Sequence, residues 1–227
     1  MFKFLRGLII ASVFISAFSG HAGEKGYYLF SYFTDDTTSG QQVHYAVSDD
    51  GLHFEVLNQG RPVIDSDTIS ISGGVRDPHI LSGHDGYYRM VLTDMDMSKG
   101  KWSNRGIIML RSKNLVDWEH HTVHFPERYA GKAPADANAV WAPQTIYDPT
   151  VGKYMVYFSL HSDKQGPYPV DKVFYAYADD DFSTLVTDPL PLFDYNGPSI
   201  DTDIVQDKDG VYHLFFNTCL LYTSPSP

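Results

Sequence analysis

Gly26-Tyr27-Tyr28-Leu29-Phe30-Ser31-Tyr32 sets a pattern that the chain returns to three times. The later copies are Asp85-Gly86-Tyr87-Tyr88-Arg89-Met90-Val91-Leu92, Gly152-Lys153-Tyr154-Met155-Val156-Tyr157-Phe158-Ser159 and Asp209-Gly210-Val211-Tyr212-His213-Leu214-Phe215-Phe216. Each begins with a Gly able to take positive φ in a tight turn and runs on as β-forming residues with period two. Tyr28, Tyr88, Tyr154 and Tyr212 align at spacings of 60, 66 and 58 residues.

Two further landmarks keep phase with these strands. Ser48-Asp49-Asp50-Gly51-Leu52-His53-Phe54 and Ser112-Lys113-Asn114-Leu115-Val116-Asp117-Trp118 lie 64 residues apart and each follows a strand, Val43 to Val47 and Ile107 to Arg111. Both read as a capped turn into an outer strand, and a degenerate third copy stands at Asp179-Asp180-Asp181-Phe182 after Val173 to Ala178. Ahead of the aromatic strands come Arg76-Asp77-Pro78-His79-Ile80, Trp141-Ala142-Pro143-Gln144-Thr145-Ile146 and Ile200-Asp201-Thr202-Asp203-Ile204, each opening a short strand. The unit is three or four strands in about 60 residues with no amphipathic helix of useful length, the signature of a radial all-β array such as a propeller. A plain β-sandwich would leave the shared phase of three landmarks to coincidence.

Composition agrees. The 227 residues are 43% hydrophobic and 15% aromatic, enough for one core and too apolar for disorder. Of the acidic residues only Glu24, Glu55, Glu119 and Glu127 are Glu; the Asp excess suits turns and strand ends better than helices. A net charge of −11 argues against a phosphate-backbone partner, so no nucleic acid is expected. The single cysteine allows neither an intrachain disulfide nor a cysteine-rich zinc site.

The ends read differently from the middle. Lys3 and Arg6 precede an apolar run from Leu8 to Phe18, and Gly20 and Ala22 supply a small-residue cleavage site. Residues 1–22 are therefore expected to be a secretory signal peptide, giving a secreted or periplasmic protein with no membrane partner after cleavage. The apolar run falls short of the ~20 residues a spanning helix needs. At the other end a strand in full stride breaks into Cys219-Leu220-Leu221-Tyr222-Thr223-Ser224-Pro225-Ser226-Pro227. That segment resembles a translated sequencing adapter, so 219–227 is expected to be a non-native tail. Residues 23–218 then hold about three and a half units, fewer than the four blades that close a small propeller.

The chemistry belongs to the strand openings. Inner strands of a propeller converge on its axis, so Asp77 and Asp201, at equivalent positions of different repeats, are expected to aim their carboxylates into one funnel. Paired carboxylates in a sugar-sized cleft are the equipment of glycosidic bond hydrolysis, and like charges held close raise a neighbour's pKa. Both could instead be turn residues that satisfy backbone N–H groups. Around them Arg76 could pair with Asp77 or bind hydroxyls, and His79 shares the strand face of Asp77 and could line the mouth or join the core. Trp141 could stack on a sugar ring or pack between blades. Gln144 could bind a hydroxyl. Asp94 and Asp96 are expected to hold a loop. His120, Thr122 and His124 share a strand face, but no Cys or carboxylate completes a ligand set, so this is expected to be a solvated outer strand and no metal is assigned. With no Gly-rich phosphate loop, no cofactor is expected either.

At these residues the chain resembles glycoside hydrolase family 43, five-bladed propeller enzymes acting on arabinose- and xylose-containing glycans. Gly73-Gly74-Val75-Arg76-Asp77-Pro78-His79-Ile80 is similar to the family's first-blade motif, Val140-Trp141-Ala142-Pro143-Gln144 to its second and Ile200-Asp201-Thr202-Asp203-Ile204 to its third. The resemblance implies a five-bladed propeller of which about three and a half blades are present, with Asp77 as general base of an inverting reaction. It implies that Asp201 tunes the pKa of a general acid Glu some 50 residues further on, beyond this chain. Many members carry an acid where Gln144 stands. The expectation is thus a glycosidase for arabinofuranosidic or xylosidic bonds in an oligo- or polysaccharide, inactive in the form given. The alternative is a non-catalytic carbohydrate-binding propeller. A sialidase-like propeller is disfavoured, since the turn at Ser48 lacks a residue of the Asp-box and no arginine cluster accompanies it.

Overall fold

The computed structural model describes residues 26–100, 102 and 104–218. The expected signal peptide and C-terminal tail lie outside these residues. Thirteen strands, paired antiparallel throughout, form four separate sheets. β1 (Tyr28–Tyr32), β2 (His44–Ser48) and β3 (Glu55–Val56) make the first. β4 (Val75–Ser82), β5 (Tyr88–Asp94), β6 (Gly106–Ser112) and β7 (Glu119–His124) make the second, in chain order. β8 (Ala139–Asp148), β9 (Lys153–His161), β10 (Lys172–Tyr177) and β11 (Leu190–Pro191) repeat that meander, and β12 (Ile200–Gln206) pairs with β13 (Tyr212–Asn217). The architecture is a partial β-propeller: two four-stranded sheets flanked, among the described residues, by a three-stranded and a two-stranded one. Among the described residues helix is confined to single turns, chiefly α1 (Ser66–Ile69) and α2 (Phe125–Arg128).

The aromatic strands are β1, β5, β9 and β13; the last three are second in their sheets, and β1 opens its own among the described residues. The Gly before three of them supplies the positive φ expected of a tight hairpin: Gly86 at 80°, Gly152 at 74° and Gly210 at 81°. The capped turns also recur in three dimensions. Ser48 Oγ accepts Gly51 N (2.9 Å) while Asp50 Oδ1 accepts Leu52 N and His53 N (both 2.8 Å). Ser112 Oγ accepts Leu115 N (3.0 Å), and Asn114 Oδ1 accepts Val116 N and Asp117 N (both 2.9 Å). The third residue after each cap is left-handed: Gly51 (φ 75°), Leu115 (64°) and, in the degenerate copy after Asp179, Phe182 (56°).

The core lies between sheets. Along β5 and β6, Met90, Leu92, Ile108 and Leu110 face the first sheet's Val43 and Tyr45. Val91, Ile107 and Met109 face the third sheet's Val140, Val156 and Phe158. The second sheet is thus buried on both faces, which is why Met90-Val91-Leu92 and Ile107-Ile108-Met109-Leu110 read as unbroken apolar runs. Arg89 crosses the same gap: its guanidinium pairs with Asp85 (2.6 Å) and lies 3.6 Å over the Tyr154 ring. The His-rich strand is β7, with Glu119, His120 and His121 exposed and Val123 buried. Among the described residues no group of three or more His, Cys, Asp or Glu could hold a metal ion.

Candidate active site

The three strand openings singled out by sequence share one backbone device. β4, β8 and β12 are the first strands of their sheets, and β8 packs against each of the other two. Each carries a register shift against its partner: between Arg76 and His79, between Trp141 and Gln144, and between Ile200 and Asp203. In each the residue after the shift begins is left-handed: Asp77 at φ 52°, Ala142 at 48° and Asp201 at 52°. Two residues there oppose one on the partner strand, a bulge that turns a side chain out of the pleat. The next residue is Pro78 or Pro143 in two of the three, and a ring nitrogen with no hydrogen leaves no ladder donor unpaired. A left-handed non-Gly residue costs about 1–2 kcal/mol, least for Asp, whose short polar side chain bonds locally.

The bulge on β4 holds Asp77 half-buried in a protein-lined position. Thr93 of β5, fully buried, donates its hydroxyl to Asp77 Oδ2 (2.8 Å) and accepts Ala142 N (2.9 Å). One hydroxyl therefore fixes the carboxylate of one sheet to the bulge of the next. Desolvation raises the pKa of Asp77, against the hydrogen bond from Thr93, the charge of Arg76 and the Ala142 amide, which pull it down. Asp201 stands at the equivalent bulge of β12 on the exposed side of the funnel. Its carboxyl is pushed up to about 6, first by desolvation, then by the charges of Asp77 and Asp171, with a hydrogen bond from Asn217 acting the other way. The charge of Asp77 thus acts on the Asp201 carboxyl.

Arg76 reaches away from this pair. Its guanidinium bonds Asp36 of the β1–β2 connection and lies 4.4 Å over the Phe33 ring, so it ties the first sheet to the rim. His79 and Gln144, each two residues past the bulge, are joints between sheets. His79 is 4% exposed, and its Nδ1 accepts Thr145 N (2.9 Å); burial holds its pKa down at about 3, so the ring is neutral. Gln144 is equally enclosed; with its amide nitrogen turned toward the surrounding acceptors it donates to Thr202 O (3.0 Å) and Asp203 Oδ1 (3.1 Å). Neither has much surface to offer a ligand. Asp94 and Asp96 are buried loop anchors, Asp94 accepting Ile71 N and Ser72 N (3.0 and 2.9 Å) and Asp96 accepting Ser98 N (2.9 Å).

Trp141 sits one residue before its bulge, and its indole N–H donates to Asp171 Oδ1 (3.1 Å). Asp171, His161 and Trp102 around it were not anticipated. Trp102 and Asp171 come from connections with no repeat to flag them and His161 ends β9 beyond the quoted motif, although an isolated Trp in a polar loop is itself a recognition signal. Among the described residues Glu55, Glu119 and Glu127 stand away from the funnel: Glu55 is exposed on β3, Glu119 pairs with Arg111 (2.6 Å) on β7, and Glu127 lies on α2 by His124 (3.3 Å).

A family model described as a probable glycosyl hydrolase domain, related to family 43, matches residues 25–219. The chain is 26% identical over 204 residues to an α-L-arabinofuranosidase of Bifidobacterium longum, covering 81% of this chain and 19% of that protein. It is 35% identical over 102 residues to a 1,2-β-oligomannan phosphorylase of a Thermoanaerobacter species, covering 40% and 32%. Among solved structures it is similar to an exo-1,5-α-L-arabinanase from a bovine ruminal metagenomic library, with a TM-score of 0.57, 18% identity and coverage of 86% and 62%. A xylan β-1,4-xylosidase from Bacillus halodurans gives a TM-score of 0.58 at 17% identity, with coverage of 86% and 35%. The chain spans less than a third of the length of the two curated relatives.

Proposed function

Because the chain belongs to the family 43-related glycosyl hydrolase domains, we propose that it carries the base side of an inverting glycosidase acting on arabinofuranosidic or xylosidic bonds. The observation that supports this best is the pair of bulged carboxylates, Asp77 and Asp201, the charge of the first acting on the second. Asp77 removes a proton from the attacking water. Its raised pKa makes it a stronger base than an ordinary carboxylate, and Thr93 holds its orientation through Oδ2. Asp201 tunes the proton donor. That donor is not one of the three described Glu, so the chain is read as binding glycans without turning over unactivated ones. The N-terminal pattern of Lys3, Arg6 and the run to Phe18 supports action outside the cytoplasm.

Two features favour water over phosphate as the acceptor: the mouth is lined by carboxylates, and Arg76, the cation beside Asp77, is committed to Asp36. That none of the described Glu residues stands by Asp77 and Asp201 favours a second reading, a carbohydrate-binding propeller without catalysis. A substrate whose leaving group needs no proton separates the two. The chain should release dinitrophenolate from 2,4-dinitrophenyl β-D-xyloside or α-L-arabinofuranoside and leave xylotriose intact. Asp77→Ala should slow release by about 10²-fold or more with an unchanged unfolding transition. Equal release by the variant overturns the base assignment; binding with no release from either glycoside favours the non-catalytic reading.

A further inference from the structure

Arg76 stands at the start of the β4 bulge, one residue before Asp77, and its charge acts on the Asp77 carboxyl. Its side chain is 19% exposed; the guanidinium lies 4.4 Å from the centre of the Phe33 ring, and Nη1 donates to Asp36 Oδ1. A guanidinium so placed is a receptor for an oxyanion, since its planar fork matches carboxylate and phosphate oxygens and its face stacks on an aromatic ring. Asp36 reaches it from a loop built to present it. Residues 33–43 connect β1 to β2 and close on themselves: Thr34 N donates to Gly40 O (2.9 Å), Gly40 N to Thr37 O (2.9 Å) and Thr37 N to Asp35 Oδ1 (2.7 Å). The fully buried Gln41 donates to Asp36 O (3.3 Å) and Thr37 O (3.2 Å), and its Oε1 accepts Met97 N (2.8 Å) from the β5–β6 connection. The Asp36 backbone is therefore fixed to the rim, while its side chain stays 67% exposed.

We propose that Asp36 is a specificity-determining residue: an internal anion that fills the Arg76 receptor and bars oxyanions, whether phosphate or the carboxylate of an acidic sugar, from the rim beside Asp77. The inference rests on the reading of Asp77 as part of a glycan site and adds the charge selectivity of that site. A carboxylate tethered at the guanidinium competes with a dissolved anion at high effective concentration. An anion that displaced it would still face the expelled Asp36 charge nearby, with no second cation gained in exchange. Without Asp36 the same guanidinium, still stacked on Phe33, becomes a site for the missing negative charge. The filter is thus a single exposed side chain on a rigid loop, set against a cation that the bulge holds in place.

The test titrates the full chain by calorimetry with inorganic phosphate and, separately, with D-glucuronate, each against sodium chloride of equal ionic strength. Asp36→Ala should bind at least one of the two anions about tenfold tighter than the parent does. Arg76→Gln in the Asp36→Ala background should lose that gain. Asp36→Asn, which keeps the size of the side chain and removes its charge, should gain as well, and so guards against a loop that changes shape in the alanine variant. Either anion responding supports the proposal, and which one responds identifies the group that Asp36 keeps out. No gain in either Asp36 variant, or a gain that survives Arg76→Gln, overturns it. Asp77-dependent dinitrophenolate release by the parent, alongside that failure, would leave the hydrolase reading standing and remove only the filter. An Arg76-dependent gain in a chain that releases no dinitrophenolate would keep the filter and sink the hydrolase reading.

Discussion

Asp201 carries its protonation state into the stability of the fold. Its folded pKa of about 6 stands above the ordinary carboxyl value of about 4. Between those pH values the folded chain holds a proton that the unfolded chain gives up. Linkage fixes the sign: stability falls as pH rises from about 4 to 6, and above 6 the ionised group is a net cost. Carboxylates held below their ordinary range, such as Asp85 beside Arg89 and Asp148 beside Thr150, act oppositely, but only under pH 4. Asp201→Asn should therefore raise the thermal midpoint relative to the parent at pH 7 and lose that advantage by pH 4.5. An advantage constant with pH would show that Asp201 does not titrate in this window. At this scale the sequence singled out Asp77, Asp201 and Trp141 as candidates because they occupy repeat positions. It could not separate a mouth residue from a joint at His79 and Gln144, since both roles sit on one strand face and differ only in what the neighbouring sheet offers.

The bulge is the element on which the site turns. Pro78 and Pro143 mark it in the sequence, since a Pro inside a strand is tolerated at a bulge, but the left-handed φ before each is set by the tertiary fold. Thr93 shows how. Replacing its hydroxyl with a methyl, Thr93→Val, keeps the shape and removes the donor to Asp77 and the acceptor of Ala142 N. A hydrogen bond to a charged group contributes about 1.5–3 kcal/mol, and urea unfolding should show a loss of that order, together with slower dinitrophenolate release. A loss under about 0.5 kcal/mol would mean that the bulges of β4 and β8 hold their shape independently. Thr93 itself was invisible in the sequence: it is one polar residue between Leu92 and Asp94 at the end of an aromatic strand, and its meaning comes from Ala142, 49 residues away. The hairpin glycines and the Ser48 and Ser112 turns were legible because local chemistry dictates them.

Across the whole molecule, period and phase predicted a propeller, and the sheets follow that plan. The last sheet departs from the others in its surroundings. Val205 (45%), Tyr212 (48%) and Phe215 (60%) are exposed, whereas the equivalents of Phe215 on β5 and β9, Val91 and Tyr157, are buried. Exposed apolar strands invite pairing between chains. Sedimentation velocity should show concentration-dependent association of the isolated chain, and Phe215→Asp should reduce it. A monomer at all concentrations, with no change in the variant, would show that this face is protected in solution.

The second sheet's two buried faces have a consequence for how such a protein can change over time. Met90 and Leu92 answer to one neighbour, Val91 to another, so a substitution on one side sets new terms for a single adjoining surface. Compensation can then proceed seam by seam, without any moment at which the entire interior must be rewritten. An interior divided in this way can change most of its lettering, one seam at a time, and keep its shape.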